Sequence, residues 1–276
     1  MKIEIFNNNC NNKQMPLESI NLRAREYRLS SHPWLMGMQT FPETMLKWFE
    51  RTIKRVEDDL STKRSVCFFD IGAAEGCYIN SALYQCNKVD IVCFEPEESR
   101  KVVLLENIIK MINRYSFFKD SKKTNYNFEV HQKIVSDGQS PTLKLRHYES
   151  TATGAGAGSS TLIKKDRGVN RKHYDIEYDA VCLDDYIDRF DYVDILKIDV
   201  EGAECAVIDG SIEFIKKFQP IIFLEVHTEE RFGSVTLDDV KKSFKKTGLE
   251  SSYEYILIEH RDDLEYYMLS LKENQK

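Results

Sequence analysis

Four carboxylates lie within the eleven residues of DILKIDVEGAE (194–204): Asp194, Asp199, Glu201 and Glu204. Around them, Ile195, Leu196, Ile198 and Val200 have the continuous apolar character of a central strand. Burying a carboxylate costs roughly 2 kcal/mol or more unless it is paired, hydrogen-bonded or ligated. A second apolar run, PIIFLEVH, ends in Glu225 and His227, which share one face of a strand by the period of two. Asp199, Glu225 and His227 are therefore the candidates for taking a proton from a reacting hydroxyl, a role worth roughly 10²–10⁴-fold in rate. An unperturbed histidine titrates near ~6.5, which suits that work. Glu201 and Glu204 read as acids favoured at a helix N-terminus. Asp184 and Asp185 read as caps of a short helix, and Lys197 as the neutraliser of Asp194 or Asp199. An oxygen-only Mg²⁺ site from Asp199, Glu225 and Asp184 is the alternative not favoured, because nothing in their spacing demands it. No metal ligand is assigned.

A second set of residues can hold a nucleotide. DIGAAEG (70–76) follows one apolar run and precedes a helical one. Gly72 and Gly76 let the backbone turn tightly and approach a ligand. Glu95 ends the next apolar run, where an acid can accept from both hydroxyls of a ribose. A dinucleotide fingerprint needs G-x-G-x-x-G to bring bare N–H groups to a pyrophosphate, and the second and third positions of that pattern fail here. Asp70 and Glu75 would repel a pyrophosphate but suit the amino and sulfonium groups of S-adenosyl-L-methionine. The candidate cofactor residues are Asp70, Gly72, Ala73, Glu75, Gly76, Glu95 and Pro96, with Val135 and Ser136 at the end of a third strand as neighbours of the adenine.

The elements that must position these groups alternate. SVCFFDIG (65–72), DIVCFEP (90–96), FEVHQKIVS (128–136), VDILKIDV (193–200) and PIIFLEV (220–226) read as strands. Helical patterns occupy 77–86, 98–111 and the stretch after Ala203. Such alternation predicts an α/β fold with a mostly parallel sheet covered on both faces. YEYILIEH and DLEYYMLSLK add two strands in succession, an antiparallel edge pair. TLKLRHY (142–148) reads as an edge strand. ESTATGAGAGSSTL (149–162) reads as a flexible surface loop, with a lid over the acceptor as the alternative. Upstream, Met45, Leu46, Phe49, Ile53, Val56 and Leu60 recur at helical spacing, while the first ~30 residues are polar, Asn-rich and expected to fray. The expected division is a helical extension over 1–60 and one nucleotide-binding domain over 61–276.

Composition narrows the classes. At 276 residues and 42% hydrophobic content, the chain can build a full core. Its net charge of −6 disfavours a broad nucleic-acid surface. No apolar run reaches the roughly 18 residues that span a bilayer. MKIEIFNNNC lacks the apolar region of a signal peptide, so the expected location is cytoplasmic. The seven scattered cysteines include no C-x-x-C pair and read as reduced core thiols.

FFDIGAAEGCY, VCFEPEESRKVVLLENI, VCLDDYI and VDILKIDVEGAECAVIDGSIEFIKKFQPIIFLEVH together resemble the FkbM family of S-adenosylmethionine-dependent methyltransferases, in that family's order and over roughly residues 65–230. The resemblance implies a class I, Rossmann-like methyltransferase fold with a seven-stranded sheet. It also implies O-methylation of a sugar, glycan or small metabolite. One departure is Ala74, where the family commonly has Asn. The competing readings are a non-catalytic S-adenosylmethionine-binding scaffold, a methyltransferase acting on nucleic acid or protein, and an NAD-dependent oxidoreductase. The turn chemistry disfavours the last. The acceptor's identity and the oligomeric state are not written in the motifs, because acceptor pockets are built from variable loops.

Overall fold

The computed structural model describes residues 2–6, 43–61, 63–120, 123–148, 161–162, 173–228, 235–261 and 264–272. In chain order the elements begin with β1 (Lys2–Phe6), α1 (Glu43–Leu60), β2 (Val66–Ile71), α2 (Cys77–Gln85), β3 (Lys88–Phe94), α3 (Glu98–Phe118) and β4 (Asn125–His131). There follow β5 (Ile134–Val135), β6 (Thr142–Tyr148), β7 (Thr161–Leu162), β8 (His173–Val181), a 3₁₀ helix at Leu183–Arg189, and β9 (Ile195–Ile198). Last come α4 (Glu204–Asp209), α5 (Ile212–Phe218), β10 (Ile221–His227), α6 (Leu237–Lys245), β11 (Tyr253–Arg261) and β12 (Leu264–Leu271). The chain divides into two compact units, Met1–Lys133 with Tyr192–Lys197, and Ile134–Asp191 with Ile198–Lys276.

In the first unit the strands lie in the order β1-β4-β3-β2-β9. The pairs β1–β4, β4–β3 and β3–β2 are all parallel. All six residues of β2, VCFFDI, are buried, the continuous apolar run of a strand covered on both faces. α1 buries Met45, Leu46, Phe49 and Ile53 along one stripe. Phe49 meets Phe68 and Tyr78 with ring centroids 5.0 Å away in each case. Asp194, the first carboxylate of the opening motif, is held at the start of β9. Arg64 donates to both of its oxygens at 2.6 and 2.7 Å, and the Cys67 N–H donates to Oδ2 at 2.9 Å.

Three expectations need correction in this unit. The polar start was expected to fray, yet Lys2–Phe6 pair with Asn127–His131. KIEIF alternates apolar and charged residues, the period of a strand, and β4 offers it an edge. The third strand was expected to run to residue 136, but β4 stops at His131, opposite Phe94. Pro96 ends β3 just beyond, so the chain after His131 has no partner to continue the ladder. Finally, β1, paired with β4, is a strand that the seven-stranded expectation did not include.

In the second unit β10 pairs antiparallel with β12, and β12 with β11. The two C-terminal strands are thus the antiparallel pair expected from their succession in the sequence. A separate sheet has the order β5-β8-β6-β7. TLKLRHY, expected at an edge, is instead an inner strand, paired with β8 from Thr142–Asp179 to Tyr148–His173 and with β7. Leu145 packs there with Ile134 and Tyr178, which explains its apolar alternation. The Gly/Ala-rich stretch 151–160 lies outside the described residues. Among the described residues no helix is long and apolar enough to cross a membrane. The described cysteines are free, with Cys67, Cys86 and Cys93 buried.

Candidate active site

The first unit contains the nucleotide-side candidates other than Val135 and Ser136. β2 ends by handing its backbone to a turn anchored on β3, where the N–H groups of Gly72 and Ala73 both donate to the Phe94 carbonyl at 3.0 Å. Gly72, Ala74 and Gly76 all take positive φ, at 81°, 47° and 89°. The two glycines adopt this without strain, whereas Ala74 pays a steric cost that Asn tolerates better. Glu95, at the end of β3, fixes Ala74. The Ala74 N–H donates to Oε2 and the Glu97 N–H to Oε1, each at 2.9 Å. Burial pushes the Glu95 carboxyl up to about 7, against the pull of Arg100 and these two N–H groups. Each oxygen has one backbone partner, and a carboxylate has about four lone-pair sites. Acceptor capacity therefore remains for the hydroxyls of a ribose, and the residues present fit an adenosyl ligand.

Neighbouring candidates are tied into the same frame. Asn107 donates to the Glu75 carbonyl at 2.9 Å. The Pro96 carbonyl accepts from Gln132, whose own amide oxygen accepts from the buried Lys101 at 2.5 Å. Asp70 is fully buried, and Lys197 Nζ lies 3.1 Å from its Oδ1. Lys197 thus pairs with Asp70, a partner that the sequence reading, which offered Asp194 or Asp199, did not name.

The second unit contains the proton-transfer candidates. His227 ends β10 and is 2% exposed. Its Nδ1 lies 2.7 Å from Oε1 of Glu204, a carboxylate with no exposed surface. Glu204 Oε1 also accepts from the Gly202 N–H at 2.9 Å. Three further carboxylates surround Nε2: Glu225 at 3.6 Å, Glu201 at 3.7 Å and Asp199 at 3.9 Å. Burial disfavours the imidazolium, but the Glu204 hydrogen bond and charge, with Asp199 and Glu201, outweigh it and raise the pKa to about 10. His227 therefore carries its proton at neutral pH, in contrast to the unperturbed value expected from its type. Across the β10–β12 pair, Tyr266 stands opposite Glu225 and donates to its Oε1 at 3.3 Å. Burial first, then Glu225, holds the Tyr266 hydroxyl protonated well above its usual range.

Other residues of the second unit have different duties. Asp199, Glu201 and His227 can each offer one ligand atom within 4.8 Å of the others, a geometry that could hold a metal ion. Asp184, named in the sequence-based Mg²⁺ alternative, instead accepts from the Phe214 N–H at 2.8 Å and secures the first turn of α5. Val135 lies in β5 opposite Val181, and the Ser136 N–H donates to the Val181 carbonyl.

The profile of the Methyltransferase FkbM domain matches residues 70–255. The chain belongs to the FkbM methyltransferase family. No curated protein matches it significantly. Among solved structures it is similar to a methyltransferase FkbM from Methylobacillus flagellatus, with 16% identity and a TM-score of 0.45, covering 81% of this chain. The chain spans 50% of that protein's length. It is also similar to an O-methyltransferase from Bacillus cereus in complex with SAH, with 11% identity and a TM-score of 0.45, covering 94% of this chain and 92% of that one. Likeness at this level supports no argument about chemistry. The family match and the strand–turn–helix order give the FkbM chain its class I, Rossmann-like α/β fold.

Within this FkbM chain the structure gathers Asp199, Glu225 and His227 in one unit, and Asp70, the 72–76 turn, Glu95 and Pro96 in the other. Three residues beside the candidates were missed as such. Glu204 was read only as a helix-start acid; its bond to the Gly202 N–H does secure that turn, but it also anchors His227. Tyr266 was read only as part of an alternating strand. Lys197 was read only as a neutraliser of Asp194 or Asp199, and its pairing with Asp70 was missed. The available signal was a charged residue inside an otherwise apolar strand, which needs a buried partner wherever it occurs.

Proposed function

We propose that this FkbM-family chain transfers a methyl group from S-adenosylmethionine to a hydroxyl of a sugar, glycan or small metabolite. The observation that carries the reading is the arrangement around His227: Glu204 on Nδ1, and Asp199, Glu201 and Glu225 around Nε2. An alcohol becomes a competent nucleophile only as its proton leaves. With His227 held protonated, a carboxylate must take that proton, and Asp199, one residue beyond β9, is assigned the role. Glu225 accepts from Tyr266 and orients the acceptor, while the imidazolium balances the charge of the surrounding acids.

When bound, S-adenosylmethionine supplies an electrophilic methyl group on a sulfonium. The chain's own part on that side is positioning, the main task in an in-line displacement. Glu95 accepts the ribose hydroxyls, Pro96 borders the adenine, and the turn from Asp70 to Gly76 receives the amino-acid end.

The deciding experiment is donor turnover against a panel of glycans and hydroxylated metabolites, with and without EDTA. An O-methylated product that disappears in Asp199→Asn supports the reading. Donor binding without turnover on any hydroxyl compound would instead favour a non-catalytic binding module. Methylation at nitrogen or carbon would move the assignment to another acceptor class.

A further inference from the structure

We propose that Lys197 is a positioning residue for the amino-acid end of the methyl donor, acting through the turn that follows β2. The proposal rests on the reading that this turn holds S-adenosylmethionine. Lys197 is the one charged residue of β9, ILKI, all four residues of which are buried. Among the partners of its ammonium are two groups that flank the start of the turn: it lies 3.1 Å from Asp70 Oδ1 and donates to the Gly72 carbonyl at 2.7 Å. Tyr78, on α2 just after the turn, presents its ring 5.3 Å from the same ammonium.

The geometry of the turn explains why such a tether matters. From Gly72 to Gly76 alternate residues take positive φ, so the carbonyl and N–H directions reverse from one residue to the next. The N–H groups of Gly72, Ala73, Ala74 and Gly76 are spent on Phe94, Glu95 and the Ala73 carbonyl, so these internal bonds set the path of the turn and with it the place of any ligand beside it. On the β3 side the turn is fixed by Phe94 and Glu95. On the β9 side, Lys197 holds the Gly72 carbonyl. The ammonium also balances Asp70, so that a fully buried carboxylate can sit where the strand becomes the turn. Glu95, by contrast, keeps its place through the N–H groups of Ala74 and Glu97. Lys197 thus bears on the start of the turn, at Asp70 and Gly72, while Glu95 has bonds of its own to Ala74 and Glu97.

That separation supplies the test. Binding of S-adenosylmethionine, S-adenosylhomocysteine and adenosine is measured by calorimetry on the full chain, wild type and Lys197→Met, with circular dichroism reporting the fold. In Lys197→Met, Kd for the two amino-acid-bearing ligands should rise tenfold or more, while Kd for adenosine stays within twofold. Lys197→Arg, which keeps a cation and donors, should recover part of the loss. If Lys197→Met does not fold, Asp70→Asn/Lys197→Met removes both charges of the buried pair and should show the same split. Equal weakening of all three ligands means a general structural role and overturns the proposal, as does unchanged binding of all three. Failure of the wild type itself to bind S-adenosylmethionine overturns the donor reading and the proposal with it.

Discussion

Glu204 Oε1 lies 2.7 Å from His227 Nδ1, and the two residues are buried together at the meeting of α4 and β10. The contact joins the end of one motif, DVEGAE, to the end of another, FLEVH. It fixes the orientation of the imidazole and decides its charge.

The consequence for stability has a definite sign. The pKa of His227 is raised from 6.5 to about 10 in the folded chain. Below 6.5 the imidazole is protonated in both folded and unfolded states, and its contribution is fully present. Between 6.5 and about 10 only the folded state keeps the proton, so stability falls as pH rises through this window. Urea denaturation from pH 6 to 10 should show that decline, and His227→Gln should flatten it. Glu204→Gln should destabilise by about 3–5 kcal/mol at neutral pH, because it removes one member of a buried pair.

Glu95 predicts a pH dependence of ligand binding. Its pKa is raised to about 7 by burial, while ribose hydroxyls donate best to the ionised form. Affinity for S-adenosylmethionine should therefore weaken as pH falls below 7, approaching tenfold per pH unit. Calorimetry across pH 5.5–8 checks this, and binding should release a proton near pH 6. Glu95→Ala should cost roughly 1.5–3 kcal/mol of binding, the loss of charged hydrogen bonds, and should abolish the pH dependence. Tight NAD binding with no response to S-adenosylmethionine would sink the donor assignment.

How far the sequence could be read follows from the reach of each signal. β2, α2, β3, β9 and β10 were legible because each carries a local pattern of burial with a turn chemistry at its end. Gly72 and Gly76 announced the positive-φ turn in the same way. The pairing of Lys197 with Asp70 was not legible, since three acids compete for that lysine in the sequence and only the fold shows that Asp70 is within reach. The pKa of His227 was hidden for a related reason. It depends on Glu204, 23 residues earlier, through a bond that no spacing rule specifies. The second sheet escaped because β6 and β8 pair at long range, and the alternation of TLKLRHY is shared by edge and inner strands.

Ala74 gives a prediction in the stabilising direction. Its φ of 47° lies in the left-handed region, which costs a residue with a Cβ on the order of 1 kcal/mol and which Asn visits more readily. Ala74→Asn keeps the backbone N–H that Glu95 needs. It should stabilise the fold by about 0.5–1 kcal/mol, seen as a higher midpoint in denaturant at unchanged slope. A lower midpoint would mean that the side chain meets an obstacle at the turn.

Gly210 gives one in the opposite sense. A Cβ there would lie 1.9 Å from the Ser136 carbonyl oxygen and 2.9 Å from Cys182 Cβ. Backbone atoms cannot yield as a side-chain tip can, so Gly210→Ala must displace either the α4–α5 corner or the segment after β5. A loss of about 3 kcal/mol or more is expected from overpacking of this severity. Thermal melting of the variant reads it directly, and a melting temperature equal to that of the wild type would show that the corner relaxes freely.

Asp199 gives the sharpest test of the proposed chemistry. If it takes the proton of the acceptor hydroxyl, Asp199→Asn should lower kcat by roughly 10²–10⁴-fold. The Kd for S-adenosylmethionine should stay within about twofold, because the lost interaction belongs to the transition state. A metal reading makes a different forecast from the same substitution. Asp199, Glu201 and His227 lie close enough to hold one cation among them, so removal of one ligand would leave an activity that rises with added Mg²⁺, while EDTA would silence the wild type. A simple base leaves the wild type indifferent to EDTA and the variant beyond rescue by metal. His227→Gln separates the roles once more: as a protonated neighbour its loss should shift the pH profile of kcat by changing the field at Asp199, not remove activity outright. Full turnover in Asp199→Asn with an established acceptor would leave alignment as the whole of catalysis and overturn the assignment of the base.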